Sequence, residues 1–117
     1  ETTFLVTADE AVDLAAAIGS PNVRLHLDVK AMAAEAAPIP EVIRAHGAML
    51  AHFHANDANR LGPGFGQTDF VPIFAALGEV RYDGWVSVEV FDYTPGPERL
   101  ARESIAYLRR AMEASAR

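Results

Sequence analysis

The sequence predicts an α/β fold of three parallel strands and four helices, and three observations carry that expectation. Apolar runs alternate with helical patterns from one end to the other, in the order α-β-α-β-α-β-α. Consecutive strands are separated by helices, which implies a parallel sheet with right-handed crossovers. The unit of strand plus helix recurs at roughly 30-residue spacing, as in a barrel or a doubly wound sheet.

Each element has its own signal. Thr7-Ala8-Asp9-Glu10 is a capping box, and the helix it opens runs through Ala11, Val12, Leu14, Ala15 and Ile18 until Gly19 and Pro21 stop it. Val23 to Asp28 follows as a strand. Pro38 and Pro40 mark the entry of a second helix that ends near Gly47, and Met49 to Ala55 is the second strand. A loop rich in Gly and Pro, Leu61 to Gly66, precedes a third helix over Phe70 to Leu77, with Gly78 as its stop. Trp85 to Phe91 is the third strand, with Trp85 expected in the core. Pro95-Gly96-Pro97-Glu98 opens a last helix to Glu113, whose buried stripe is expected at Leu100, Ile105, Tyr107, Leu108 and Met112.

Composition narrows the function. The chain has 117 residues, 50% of them hydrophobic and 22% charged, which is ordinary globular composition in a single domain. With no cysteine, disulfides and thiolate metal sites are excluded, so any metal must be held by His, Asp or Glu. The net charge of −6 argues against a nucleic-acid partner. No apolar run is long enough for a membrane span and no leader pattern is visible, so a cytoplasmic setting is expected.

The strand faces are the most informative feature, because side chains alternate across a strand. In the first strand Val23, Leu25 and Leu27 oppose Arg24, His26 and Asp28. In the second, Met49, Ala51, Phe53 and Ala55 oppose Leu50, His52 and His54. In the third, Val86, Val88 and Val90 oppose Trp85, Ser87 and Glu89. Every strand thus has one apolar and one mostly polar face. A doubly wound sheet wants apolar residues on both. A (β/α)₈ barrel accepts the mixture, because polar groups at the C-terminal rim of its lumen converge on a ligand. The chain is therefore expected to be a partial TIM barrel over residues 1–117, since three strands cannot close the eight-stranded barrel.

Asp28, His54 and Glu89 each lie on the polar face at or near the C-terminal end of a strand, separated by 26 and 35 residues, one βα unit each. A lone strand-end Asp is usually a helix cap and a lone strand His usually a core residue; a shared face and a shared end make the three together a candidate metal site. Mn²⁺, Mg²⁺ or Co²⁺ suits this donor set, and Zn²⁺ is compatible with it. His26 and His52 sit deeper and are expected to support the site rather than ligate.

Three stretches carry a family resemblance: Leu25-His26-Leu27-Asp28, His52-Phe53-His54-Ala55-Asn56-Asp57-Ala58-Asn59-Arg60, and Tyr82-Asp83-Gly84-Trp85-Val86-Ser87-Val88-Glu89. Together with the loop Gly62-Pro63-Gly64-Phe65-Gly66, they resemble the sugar phosphate isomerase/epimerase group of xylose-isomerase-like barrels over essentially the whole chain. In the ketohexose 3-epimerases of that group the metal is held by Glu, Asp, His and Glu. The resemblance implies that residues 1–117 are the last three βα units of the barrel with a preceding helix, that Asp28, His54 and Glu89 are the last three ligands, and that the first Glu ends a strand upstream of residue 1. It also implies that Arg60 and Glu1 contact substrate and that Glu89 is one of two carboxylates that move a proton through an enediolate. The group's substrate-binding His three residues after the metal Asp is Ala31 here, which departs from the ketohexose pattern. Phe91, Asp92 and Tyr93 are candidates for a pocket wall, Asp57 either orients Arg60 or caps a turn, and Lys30 offers a polar contact.

The expected activity is thus a divalent-metal-dependent isomerase or epimerase of a small sugar or sugar phosphate. Two alternatives stand beside it. One is a lyase of the same superfamily resembling inosose dehydratase. The other is a barrel fragment, inactive alone and poorly stable, that needs a second copy or a complementing chain to complete its fold. An apurinic endonuclease on the same barrel would need more histidine ligands than the chain offers.

Overall fold

The computed structural model describes residues 3–117, so Glu1 lies outside the described residues. The elements are α1 (Ala8–Ile18), β1 (Leu25–Asp28), α2 (Val29–Met32), α3 (Ile39–His46), β2 (Leu50–Ala55), α4 (Val71–Glu79), β3 (Val86–Val88) and α5 (Pro97–Ser115). The three strands form one parallel sheet in the order β1-β2-β3. The α/β class and parallel topology are as expected. Among the described residues there are five α-helices rather than four, because the short α2 follows β1 directly.

Helix α1 begins where the capping box places it. The Glu10 N–H donates to Thr7 Oγ1 at 3.2 Å, and the Thr7 N–H donates back to Glu10 Oε2 at 3.3 Å. Gly19 ends the helix at φ 68°, a left-handed cap that suits glycine. Helix α4 ends differently from the expectation. Gly78 stays inside it, since one glycine is tolerated in a helix. The stop is a Schellman arrangement around Arg81 at φ 55°: the Tyr82 N–H donates to the Leu77 carbonyl and the Arg81 N–H to that of Gly78.

The core lies between one face of the sheet and the helices. Leu25, Leu27, Phe53 and Ala55 from the strands pack with Val42 and Ile43 of α3, Ile73, Ala76 and Leu77 of α4, and Leu108 and Ala111 of α5. The stripe of α5 is offset from the expected one: Leu100, Ser104, Leu108 and Ala111 are buried, while Ile105 and Met112 are about half exposed. The cause is a close approach. A Cβ on Gly62 would lie 2.3 Å from Ser104 Oγ, so the glycine loop packs against α5 where only a small residue fits.

Three strand expectations need correction. Leu50 pairs with Leu25, yet His26 pairs with His52, so Ala51 is an extra residue on β2. This bulge turns the buried Leu50 onto the apolar face and leaves Ala51 exposed, the reverse of simple alternation. Strand β3 is shorter than residues 85–91 because the chain leaves the ladder after Val88; the Phe91 and Asp92 N–H groups donate instead to the Arg60 carbonyl, at 3.0 and 3.1 Å. Trp85, placed in the core from sequence, is 83% exposed. It precedes the edge strand, and nothing described covers that end of the sheet's polar face.

No helix among the described residues is long and apolar enough to cross a membrane.

Replacing Thr7 with Ala removes one half of the capping box and is expected to lower stability by about 1 kcal/mol. Urea denaturation followed by circular dichroism measures it, and Thr7→Ser should retain most of the stability.

Candidate metal centre

The site is built by register. Asp28 pairs with His54 and His54 pairs with Ser87 across the sheet, so three neighbouring strands end level with one another. Their polar-face side chains meet at the C-terminal rim. Glu89 lies just beyond β3, its N–H reaching the Ala55 carbonyl at 3.4 Å, and its side chain returns to the same point. His54 Nδ1 is 3.3 Å from Glu89 Oε2 and 3.6 Å from Asp28 Oδ2. One donor atom from each of the three lies within 4.8 Å of the other two.

The detail that tests the fit to a cation is His54 Nδ1. This atom is buried and makes no hydrogen bond, although two carboxylate oxygens face it. Buried polar atoms normally find a partner. An imidazole nitrogen and two carboxylates around one point form a nitrogen-and-oxygen donor set that a divalent ion satisfies. Asp28, His54 and Glu89 are thus the residues able to hold such an ion.

Asp28 does two jobs. Its Oδ1 accepts from the Ala31 N–H at 2.9 Å and so caps α2, while Oδ2 faces His54. The cap of a strand-end Asp thus occupies one oxygen and leaves the other facing the imidazole. Asn56 holds the second oxygen. Fully buried, it donates from Nδ2 to Asp28 Oδ2 at 2.7 Å and accepts the Lys30 N–H on Oδ1 at 2.8 Å. Sequence reasoning gave Asn56 no role. The available signal was an amide, donor and acceptor at once, immediately after an apolar strand end.

The remaining polar candidates lie around the rim. Asp57 takes the turn role. Its carboxylate accepts from the Thr68 hydroxyl at 3.0 Å and the Thr68 N–H at 3.3 Å, and its carbonyl accepts the Arg60 N–H. A Cβ on Gly66 would stand 2.3 Å from this carboxylate, so the loop needs glycine there. Arg60 is exposed, at φ 74°, and is not one of the three converging groups. It lines a cleft of about 310 Å³ with Phe91, Asp92, Tyr93 and Thr94. Hydrogen bonds from Thr94 hold the Asp92 carboxyl below its ordinary range, and the Arg60 charge adds to the effect. A second cleft of about 310 Å³ includes Asp28, Lys30, Ala31 and Phe91 in its lining. Lys30 Nζ sits 5.9 Å from the centre of the Phe91 ring, a cation–π contact that places the ammonium beside Asp28's cleft. Phe91 is common to both clefts, as expected of a wall.

The polar face below the rim carries His26 and His52. Burial, with the neighbouring His54 and His52 adding to it, lowers the His26 pKa from its usual value.

Comparison with known proteins settles the family. A model described as xylose isomerase-like TIM barrel matches residues 1–111. The chain belongs to this family. It is 36% identical to a D-psicose 3-epimerase of Enterocloster bolteae over 88 residues, 75% of this chain and 29% of that protein. A solved L-ribulose 3-epimerase superposes with a TM-score of 0.88 at 26% identity, covering 99% of this chain and 45% of that one. A 3-keto-D-glucoside 4-epimerase from E. coli superposes at 0.86, also with 26% identity, over 93% of this chain and 41% of that one. The chain spans about a third of the length of the curated relatives it matches. Its sheet is accordingly the C-terminal portion of a (β/α)₈ barrel, and the polar face is the face that lines the lumen.

Asn56→Ala strips a donor from Asp28 and an acceptor from the Lys30 N–H. It is expected to cost about 1–3 kcal/mol, the penalty of leaving buried polar groups unpaired, readable by chemical denaturation.

Proposed function

We propose that the protein is a divalent-metal-dependent isomerase or epimerase of a small sugar or sugar phosphate, working by proton transfer next to a carbonyl through an enediolate. The observation that carries this reading is the unbonded His54 Nδ1 between Asp28 and Glu89, at the rim of a barrel whose relatives include a D-psicose 3-epimerase and an L-ribulose 3-epimerase.

Asp28, His54 and Glu89 would hold the ion, with Mn²⁺, Mg²⁺ or Co²⁺ the best match to two carboxylates and one imidazole. When bound, such an ion supplies Lewis-acid polarisation of a substrate oxygen and stabilises the charge that develops beside it. The protein's own residues do the rest. Glu89 has the most exposed side chain of the three, at 43%, and can take or return a proton at a carboxylate oxygen. A second carboxylate, outside this chain, completes the acid–base pair. Asp28 is fixed by Asn56 and by its cap on α2, so its second oxygen keeps its direction as substrate enters. Arg60 fixes substrate oxygens from the loop after β2, and Phe91 and Tyr93 form an apolar wall that limits water. Glu1 is assigned a substrate contact on the family resemblance alone.

Three measurements test the reading on the protein that carries this chain. Mn²⁺ titration should show binding that His54→Ala weakens at least about tenfold. In deuterium oxide, a panel of ketoses should acquire deuterium at the carbon beside the carbonyl. Glu89→Gln should lower that exchange by about 10²–10⁴-fold. Exchange at the wild-type rate in the Glu89→Gln protein would remove Glu89 from the chemistry, and a dehydrated product would identify a lyase.

A further inference from the structure

Below the carboxylate rim, the lumen face carries three imidazoles in mutual contact. His26 comes from β1, and His52 and His54 come from β2. In-register pairing sets His26 beside His52. The rings meet edge to face, with centroids 3.9 Å apart for His26 and His54, 5.2 Å for His26 and His52, and 5.1 Å for His52 and His54. One nitrogen from each ring lies within 4.8 Å of the other two.

A histidine that serves only packing usually spends its ring N–H on a carbonyl or carboxylate. Among the described residues no hydrogen bond reaches the ring of His26 or of His52, and these rings meet each other and His54 edge to face. His26 is exposed and His52 and His54 are half-buried, and their three nitrogens stand close enough together to share one cation.

We propose that His26, His52 and His54 form a second cation site, one layer below the rim, that takes a borderline divalent ion of the zinc class. Three neutral imidazoles favour Zn²⁺, Ni²⁺, Cu²⁺ or Co²⁺ and offer little to Mg²⁺ or Ca²⁺, which prefer oxygen. A tetrahedral ion bound at its usual distance wants its nitrogens roughly 3.3 Å apart, so the rings must turn inward slightly to close on it. His54 belongs to both donor groups. Filling the lower site adds a like charge beside the rim, so the two sites are negatively coupled. This coupling rests on the proposed rim site; the lower site itself does not.

The experiment separates the two sites by removing one at a time. In the protein that carries this chain, Asp28→Asn with Glu89→Gln disables the rim and spares all three imidazoles. That variant should still bind about one equivalent of Zn²⁺ in competition with a chromophoric chelator. Added to that variant, His26→Gln and His52→Gln should each lower Zn²⁺ affinity at least about tenfold. As single changes in the wild-type protein they should lower Zn²⁺ affinity more than Mn²⁺ affinity, because neither ring is a rim donor. Co²⁺ is a second readout: its visible absorption should lose intensity in each single variant, which needs no multiply substituted protein to fold. Zn²⁺ affinity indifferent to both His26→Gln and His52→Gln would overturn the proposal. So would loss of Zn²⁺ binding on disabling the rim while the histidines stand. A protein that binds Zn²⁺ through the histidines but never binds Mn²⁺ would sink the rim assignment and leave the lower site in place.

Discussion

The parallel ladder that puts Asp28, His54 and Ser87 side by side is the constraint on which the rest depends. Side-chain direction alternates with every residue, so a ladder one residue out of step would send a carboxylate into the helix layer and a leucine into the lumen. The register is fixed by burial. Leu27 and Phe53 are paired, almost wholly buried and packed on α3 and α4, and that packing obliges Asp28 and His54 to face the other way. The bulge at Ala51 shows how strictly this holds. Leu50 and Phe53 are both buried although parity would set them on opposite faces, and one extra residue between them resolves the conflict.

Above that ladder, the rim is held by groups that do not touch the proposed ion. Asn56 joins the end of β1 to the start of α2 through one amide, so Asp28's direction and the helix's first turn are fixed together. Asp57, the next residue, turns the other way and binds Thr68, pulling the glycine loop onto the end of β2. Tyr107 of α5 donates from its hydroxyl to the Thr68 carbonyl and anchors the loop from outside. Consecutive residues thus serve opposite sides of the strand: one supports the donor atoms, the other the loop.

Much of this was legible in the sequence, and the parts that were not have physical reasons. The order of elements, the α1 capping box and the convergence of Asp28, His54 and Glu89 follow from local patterns: periodicity, caps and strand parity. The errors are tertiary. The stripe of α5 was set by how closely Gly62 approaches Ser104, which no helical period records. Trp85 looked like core by hydrophobicity, but its exposure depends on what lies over the sheet. The end of β3 was set by the Arg60 carbonyl capturing two N–H groups from 91 and 92, a contact between segments 30 residues apart. Asn56 was overlooked because a single amide has no motif, and its worth appears only when both partners are in place.

That capture by Arg60 also governs how the mouth of the barrel can move. The turn after β2 and the aromatic stretch after β3 share one carbonyl as their junction, which couples the two segments. Moving Phe91 or Asp92 away from the end of β2 breaks these two hydrogen bonds or carries the Arg60 backbone along. Under the proposed function, the residue that would bind substrate oxygens is thereby tied to the wall beside it.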